Sequence, residues 1–475
     1  VNREAKADRR PDAGGMAEAA SPADASPSTV ERMSSFDPGE RLAALEDALA
    51  AAPELPETSP NVNMHIHSFF SFNAAGWSPT RIVWEGRMNG FYAAALCDFD
   101  VLDGMEEFLR AGRKAGLRTA VHLETRVFFP ELGDVDISSP GEPGVTYIMG
   151  AGFAVGLPPG SPRQTVLASF RRQAEERNRA LLDRINERLK GLSLDYETDV
   201  LPLTPAGCAT ERHIVRAYTL KAEARFQGAP ELAAFWAEVL GVSPAEADRL
   251  GADRPSLEEA VRARLVKRGG LAYRAPTTTT FPPIDRFIEW VLHCGAIPMA
   301  TWLDGTSAGE ADPDRLLDLL VEKDIAAVNI IPDRNWRVKD PAEARTKRRN
   351  LDAFVRTAVR RELPINVGTE MNKRGLPLID HLDVEALRDH RGPFLRGARV
   401  MVGHALLSRY AGFSYAGEAA RAEFGADTAG KNAFFARVGA LPALREPEAS
   451  ALRGMTRERA LATLADSGRA GAWRL

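Results

Sequence analysis

Two histidines, His65 and His67, stand two apart at the end of the apolar-alternating run that opens "NVNMHIHSFFSFNAAGW" (61–77). Side chains two apart on a strand share a face, so this spacing points both imidazoles the same way. Imidazole is the commonest side-chain metal ligand, and such a pair can hold one ion from both rings. Taken alone, H-x-H fits a hydrogen-bonded structural pair better than a metal site. The groups that close other apolar runs change that balance. "ALCDFDVLDG" supplies Asp98 and Asp100, "VHLETRVFF" supplies Glu124 between His122 and Arg126, "NVGTEMNKRG" supplies Glu370 and Asn372, and "VMVGHALLSRY" supplies His404. Buried carboxylates repel one another unless a cation or a proton intervenes, so convergence of these groups predicts bound metal.

The candidate ligands are therefore His65, His67, Asp98, Asp100, Glu124, Glu370, Asn372 and His404. A divalent ion held by them would lower the pKa of its water and polarise the oxygen under attack, which is metal-assisted hydrolysis. Asp98 and Glu124 are also placed to orient that water as a general base. A phosphoester would need further positive charge at the rim. Arg126, Lys373 and Arg374 are candidates, with Arg334 and Arg337 of "PDRNWR", since guanidinium forks suit phosphate oxygens.

The elements that must position these groups alternate between short β-rich and helical runs, the rhythm of β/α units around a parallel sheet. The strand candidates are 61–66, 92–98, 118–124, 296–301, 326–331, 364–370 and 398–404. Seven strands predict a (β/α)7 barrel, and the active sites of such barrels gather at the C-terminal strand ends. About 170 residues intervene between the third and fourth of these strands, far more than a β/α crossover needs. Residues 158–282 therefore read as a mainly helical insertion, placed either to cover the barrel mouth or to mediate self-association. Its first arm, Pro162 to Leu192, carries an apolar stripe (Val166, Phe170, Ala174, Leu181, Ile185, Leu189) that reads as packing surface. The barrel then comprises 36–157 and 283–425, with a disordered leader at 1–35 and a helical C-terminal tail at 426–475.

With 475 residues, 44% of them hydrophobic, the chain can bury a full core. A net charge of −4 gives no footprint for nucleic acid, and charges interrupt every long apolar run, so no membrane partner is indicated. Three cysteines without a C-x-x-C pair argue against disulfides and cysteine zinc sites, and fit a cytoplasmic protein. Among the remaining histidines, His213 reads as helix packing ahead of substrate contact, His293 as a helix C-terminal residue, and His381 and His390 as solvated.

The order H-x-H, an Asp-containing loop ("CDFDVLDG"), a glutamate ("ETRVF") and a late acidic motif ("GTEMNKRGLPLID") resembles the PHP (polymerase and histidinol phosphatase) superfamily over about residues 60–157 and 283–410. The resemblance implies a distorted (β/α)7 barrel holding two or three divalent ions and hydrolysing phosphoesters. Several of that family's histidines are replaced here: Phe99, Thr146 or Tyr147, Thr301 and Asn372 stand at or near their places, and Glu370 replaces an aspartate. The oxygen-rich remainder predicts one or two ions drawn from manganese, magnesium, zinc or iron, the harder ones favoured, and a small phosphorylated substrate. An amidohydrolase-type C–N hydrolase, which also starts from H-x-H, is the second enzyme reading. A non-catalytic ligand-binding module on the same barrel is the third.

Overall fold

The barrel strands are buried along most of their length, Ala93–Phe99 ("AAALCDF") and Ile297–Trp302 ("IPMATW") as near-continuous apolar runs and Val62–Ile66 ("VNMHI") with polar residues between apolar ones. The computed structural model describes residues 27–475 apart from Pro53, Gln227 and His381, so the expectations for residues 1–26 and for His381 lie outside the described residues. The strands are β1 (Val62–Ile66), β2 (Ala93–Phe99), β3 (Arg118–Phe128), β4 (Val145–Ala151), β5 (Ile297–Trp302), β6 (Ala327–Ile330) and β7 (Ile365–Val367). They form one sheet in the order β1-β2-β3-β4-β5-β6-β7. All neighbours are parallel except β4, which runs antiparallel to both β3 and β5. A bridge between Ile66 and Glu370 brings the two edges together, with His67 N–H donating to Glu370 O at 2.9 Å and Glu370 N–H to His65 O at 2.8 Å. The result is a nearly closed, distorted (β/α)7 barrel.

The seventh expected strand is a helix. Residues 398–404 lie inside the long helix Arg391–Ala411, and the place in the sheet belongs instead to β4, "VTYIMGA". Two glycines explain why this helix does not read as one. A Cβ on Gly397 would come within 1.9 Å of Ile365 O, and one on Gly403 within 1.9 Å of Phe435 O. Both glycines let backbones approach that no other residue would permit, and both weaken the local helix signal at the same time.

Residues 27–35, expected in the leader, form the short helix Pro27–Arg32 and bury Met33 in the core. The main core runs from Met33 to Leu464, so the helices Thr428–Gly439 and Arg457–Ala470 of the C-terminal segment share it with the barrel. The insertion has a second core of its own, spanning Leu181 to Ala272. The helix Pro162–Arg188 joins the two: Leu167 and Phe170 pack into the barrel core, and Leu181, Leu182 and Ile185 into the insertion core. No helix among the described residues is long and apolar enough to cross a membrane.

Candidate metal centre

His65 and His67 lie at and just past the C-terminal end of β1, as the H-x-H spacing predicts, and Glu124 faces them from β3. The three are buried, and their ligand atoms lie within 4.8 Å of one another. Glu124 Oε2 is 3.3 Å from His65 Nε2 and 3.4 Å from His67 Nε2. The local backbone is built for close approach: a Cβ on Gly368 would fall 2.4 Å from His65 N, so only glycine fits beside this strand end.

The outer nitrogen of each ring is engaged elsewhere. His67 Nδ1 lies 3.3 Å from Ser71 Oγ, and that hydroxyl donates to Asp98 Oδ1 at 2.6 Å. With the serine proton committed to Asp98, the serine oxygen accepts from Nδ1–H, which leaves the Nε2 lone pair of His67 free. His65 Nδ1 lies 3.2 Å from Asn329 Nδ2. With the amide nitrogen on that side, the ring proton sits on Nε2 and points at Glu124. With the amide turned over, Oδ1 accepts from Nδ1–H and Nε2 is free. Both Nε2 atoms are buried, and apart from the nearby Glu124 Oε2 neither has a partner among the described residues. Two orphaned imidazole nitrogens and a carboxylate oxygen converging on one point fit a divalent cation.

The electrostatics agree. Burial works against a charged His65, but Cys97 and Glu124 outweigh it and hold its pKa well above the ordinary value. Burial also pushes the Cys97 thiol up to about 12, so Glu124 is the anion actually present near neutral pH. Glu124 in turn resists burial because His65, foremost, and His67 hold it ionised, at about 2. The pocket keeps a carboxylate and stabilises positive charge next to it, whether proton or metal.

The other expected ligands do not converge on this point. Asp98 is buried behind His67, where it accepts from Ser68 N–H (2.7 Å), Ser68 Oγ (2.6 Å) and Ser71 Oγ. Its oxygens are consumed by the loop that follows β1, so it braces that loop in place of binding metal or activating water. Phe99 takes the next position and stacks on the His67 ring at 4.7 Å. Asp100 has left-handed backbone (φ 58°) and accepts from Thr125 Oγ1 at 2.6 Å at the cavity wall. Burial raises its pKa, against the pull of Arg177. Glu370 and Met371 are also left-handed (φ 63° and 56°), a strained pair of the kind found at functional sites. The Glu370 carboxylate faces Arg334 Nη2 at 3.5 Å and accepts from Asn372 Nδ2 at 3.2 Å. His404 is the clearest correction. It sits mid-helix, with Nε2 3.0 Å from Gly152 O and Nδ1 accepting from Tyr415 N–H at 3.1 Å, because its segment is not a strand and has no barrel rim. His390, expected in solvent, is buried with Nε2 2.6 Å from Asp352 Oδ1.

Above the three residues lies a cavity of about 870 Å³, walled by the barrel rim and the insertion. Arg126, Arg334 and Lys373 line it, together with Glu370, Asn372 and Thr301. Arg126 Nη1 donates to Glu142 Oε2 at 2.8 Å, and its guanidinium lies over the Phe281 ring. Arg337 and Arg374 are not part of the wall: Arg337 lies 3.9 Å from Asp333, and Arg374 pairs with Asp253 of the insertion. Sequence reasoning missed Ser68, Ser71 and Asn329, whose roles depend on contacts across the barrel. It also missed the insertion's arginines. Arg177 and Arg184 lie seven apart on one helical face, a signal that was present in the sequence.

No family model matches the chain, and no curated protein matches it by sequence. Solved structures resemble it, two of them as follows. One is a proposed metal-dependent phosphoesterase from Bifidobacterium adolescentis, 18% identical, with 72% of this chain and 98% of that one covered at a TM-score of 0.43. The other is an amidohydrolase from Chromobacterium violaceum, solved with sulfate and without metal, 15% identical, with 70% and 96% covered at a TM-score of 0.44. Both are distant likenesses, and what the site can do is read from this chain's own side chains.

Proposed function

We propose that the protein is a metal-dependent hydrolase of the PHP kind that cleaves a small-molecule phosphoester with a single divalent cation. The observation that carries this reading is the convergence of His65 Nε2, His67 Nε2 and Glu124 Oε2 on one buried point beneath an open, cation-rich cavity. Two imidazoles with one carboxylate suit manganese, iron or zinc better than magnesium, which prefers oxygen donors. Such an ion, when bound, supplies a nucleophilic hydroxide near neutral pH.

The chain's own residues do the rest. His67 is oriented by Ser71 and Asp98, and His65 by Asn329. Arg334 and Arg126 face the cavity and are suited to hold phosphoryl oxygens, Arg334 by exchanging its contact with Glu370 for one with substrate. Asp100, whose carboxyl burial keeps easier to protonate than usual, is placed at the wall to pass a proton to the leaving oxygen.

The test is metal analysis after exposure to manganese, iron(II) and zinc, with hydrolysis of p-nitrophenyl phosphate, for the wild type, His67→Ala and Glu124→Gln. About one ion per chain and metal-dependent phosphate release, both lost in the variants, are expected. A chain that stays metal-free and inert after all three metals overturns the proposal.

A further inference from the structure

The cavity is larger than a phosphoryl group requires, and its charge is unbalanced. Its wall carries ten basic side chains against six acidic ones. The acids are mostly spoken for: Glu142 by Arg126, Glu370 by Arg334, Glu259 by Arg212, and Glu211 by Arg262 and Lys267. Glu124 faces the two histidines, and Asp100 accepts from Thr125. Arg177, Arg184, Arg268 and Arg274 remain, and none of them forms an ion pair among the described residues. All four belong to the insertion.

Two of these guanidinium groups are held in place by backbone carbonyls. Arg177 Nη1 donates to Thr280 O at 3.1 Å, and Arg184 Nε donates to Ala272 O at 2.9 Å. Each keeps further N–H donors free for a ligand. Arg177 also lies over the Phe281 ring, on which Arg126 rests as well. Arg184 and Arg274 are close enough to repel: burial first, and then Arg274, lowers the pKa of Arg184, while Asp183 and Glu187 of its own helix offset this only in part. Asp100 is the acid that acts on Arg177 most strongly, and Glu142 also reaches it. Like-charged guanidinium groups on one cavity wall that form no ion pair among the described residues are a ready-made receptor for an anion.

We propose that Arg177, Arg184, Arg268 and Arg274 form an anion subsite, so that the substrate carries a second phosphate or carboxylate group apart from the one that reacts. For the reacting end this rests on the phosphoester reading above. The barrel would then supply the chemistry, and the insertion would select molecules with two anionic ends.

The experiment uses calorimetric binding to the full chain, with and without manganese. The probes are α,ω-alkane bisphosphonates of three to nine carbons, ω-phosphonocarboxylates of the same lengths, and the matching monophosphonates. At the best length, a two-ended probe should bind at least tenfold tighter than its monophosphonate. The bisphosphonate and phosphonocarboxylate arms tell a second phosphate from a second carboxylate. Arg184→Gln/Arg274→Gln should reduce the advantage to within twofold, while Arg356→Gln, an exposed arginine on another helix, should retain it. Arg274→Gln alone removes no hydrogen bond found among the described residues, and a reduced advantage there, with urea unfolding unchanged from the wild type, separates the subsite from a folding defect. The subsite is overturned if no two-ended probe gains more than twofold, or if the gain survives in the double variant. An arginine-dependent gain without hydrolysis of any phosphoester would uphold the subsite and overturn the hydrolase reading instead.

Discussion

Asp98→Asn separates a brace from a ligand. Asp98 accepts three short hydrogen bonds, at 2.6, 2.6 and 2.7 Å, from Ser68 and Ser71. Charge-assisted bonds contribute roughly 1.5–3 kcal/mol each and neutral ones about 0.5–1.5, so removing the charge forfeits on the order of 3 kcal/mol gross. Relief from burying a carboxylate offsets part of this. Burial already raises the Asp98 pKa despite its three donors, and the net loss of folding stability should be about 1–2 kcal/mol. The effect on the metal is the sharper readout. Ser71 is oriented by Asp98 and orients His67, and losing the outer partner of a metal-binding histidine typically costs 10- to 100-fold in affinity, about 1.4–2.8 kcal/mol. Chelator-competition titration with manganese and zinc, beside urea unfolding, measures both quantities. Unchanged metal affinity would show that the brace has no influence on His67. Affinity abolished as completely as in His67→Ala would show that Asp98 is itself a ligand.

Two further expectations follow from buried polar groups. Asn329→Asp places an oxygen opposite His65 Nδ1 in either orientation, which fixes the proton there and frees Nε2, so chelator competition should show metal affinity rising about tenfold; a fall would refute the tautomer argument. Glu310 is buried and, although it accepts from Leu303, Asp304 and Gly305 N–H, burial raises its pKa from 4.5 to about 7. The folded state therefore binds its proton more tightly than the unfolded state, and the associated stability is complete below about pH 4.5 and lost as pH rises through about 7. The size is on the order of 3 kcal/mol. Urea unfolding should follow that decline in the wild type and a flatter line in Glu310→Gln, and parallel lines would exclude Glu310 as the cause.

The parts of the site carried by strand alternation were legible in the sequence. His65 and His67 share a face because of their spacing at the end of β1, and Glu124 meets them from within β3, which runs four residues beyond it. Asp98 was misassigned because its partners, Ser68 and Ser71, reach it from the turn after the neighbouring strand, which no periodicity shows. His404 was misplaced because "ARVMVGH" has the composition of a strand, while Gly397 and Gly403 are present for close backbone approach to β7 and to the helix Thr428–Gly439. The strand it displaced, β4, is joined to β3 by one 3-10 turn, Pro130–Leu132, with no α-helix between them, and runs antiparallel, so a search for β/α rhythm passes over it.

The insertion also bears on how the barrel closes. About 145 residues separate Ala151 of β4 from Ile297 of β5, strands that must pair directly. Gln173 Nε2 donates to Thr279 O and Arg177 Nη1 to Thr280 O, so the insertion's own fold ties its two ends together. If this unit forms first, the chain left to close shrinks to about 40 residues, which lowers the closure entropy by about 1 kcal/mol and speeds pairing roughly sixfold. The segment that lines the cavity would thus also act as a splint during assembly, and trimming it would slow folding of the barrel as well as empty the cavity wall.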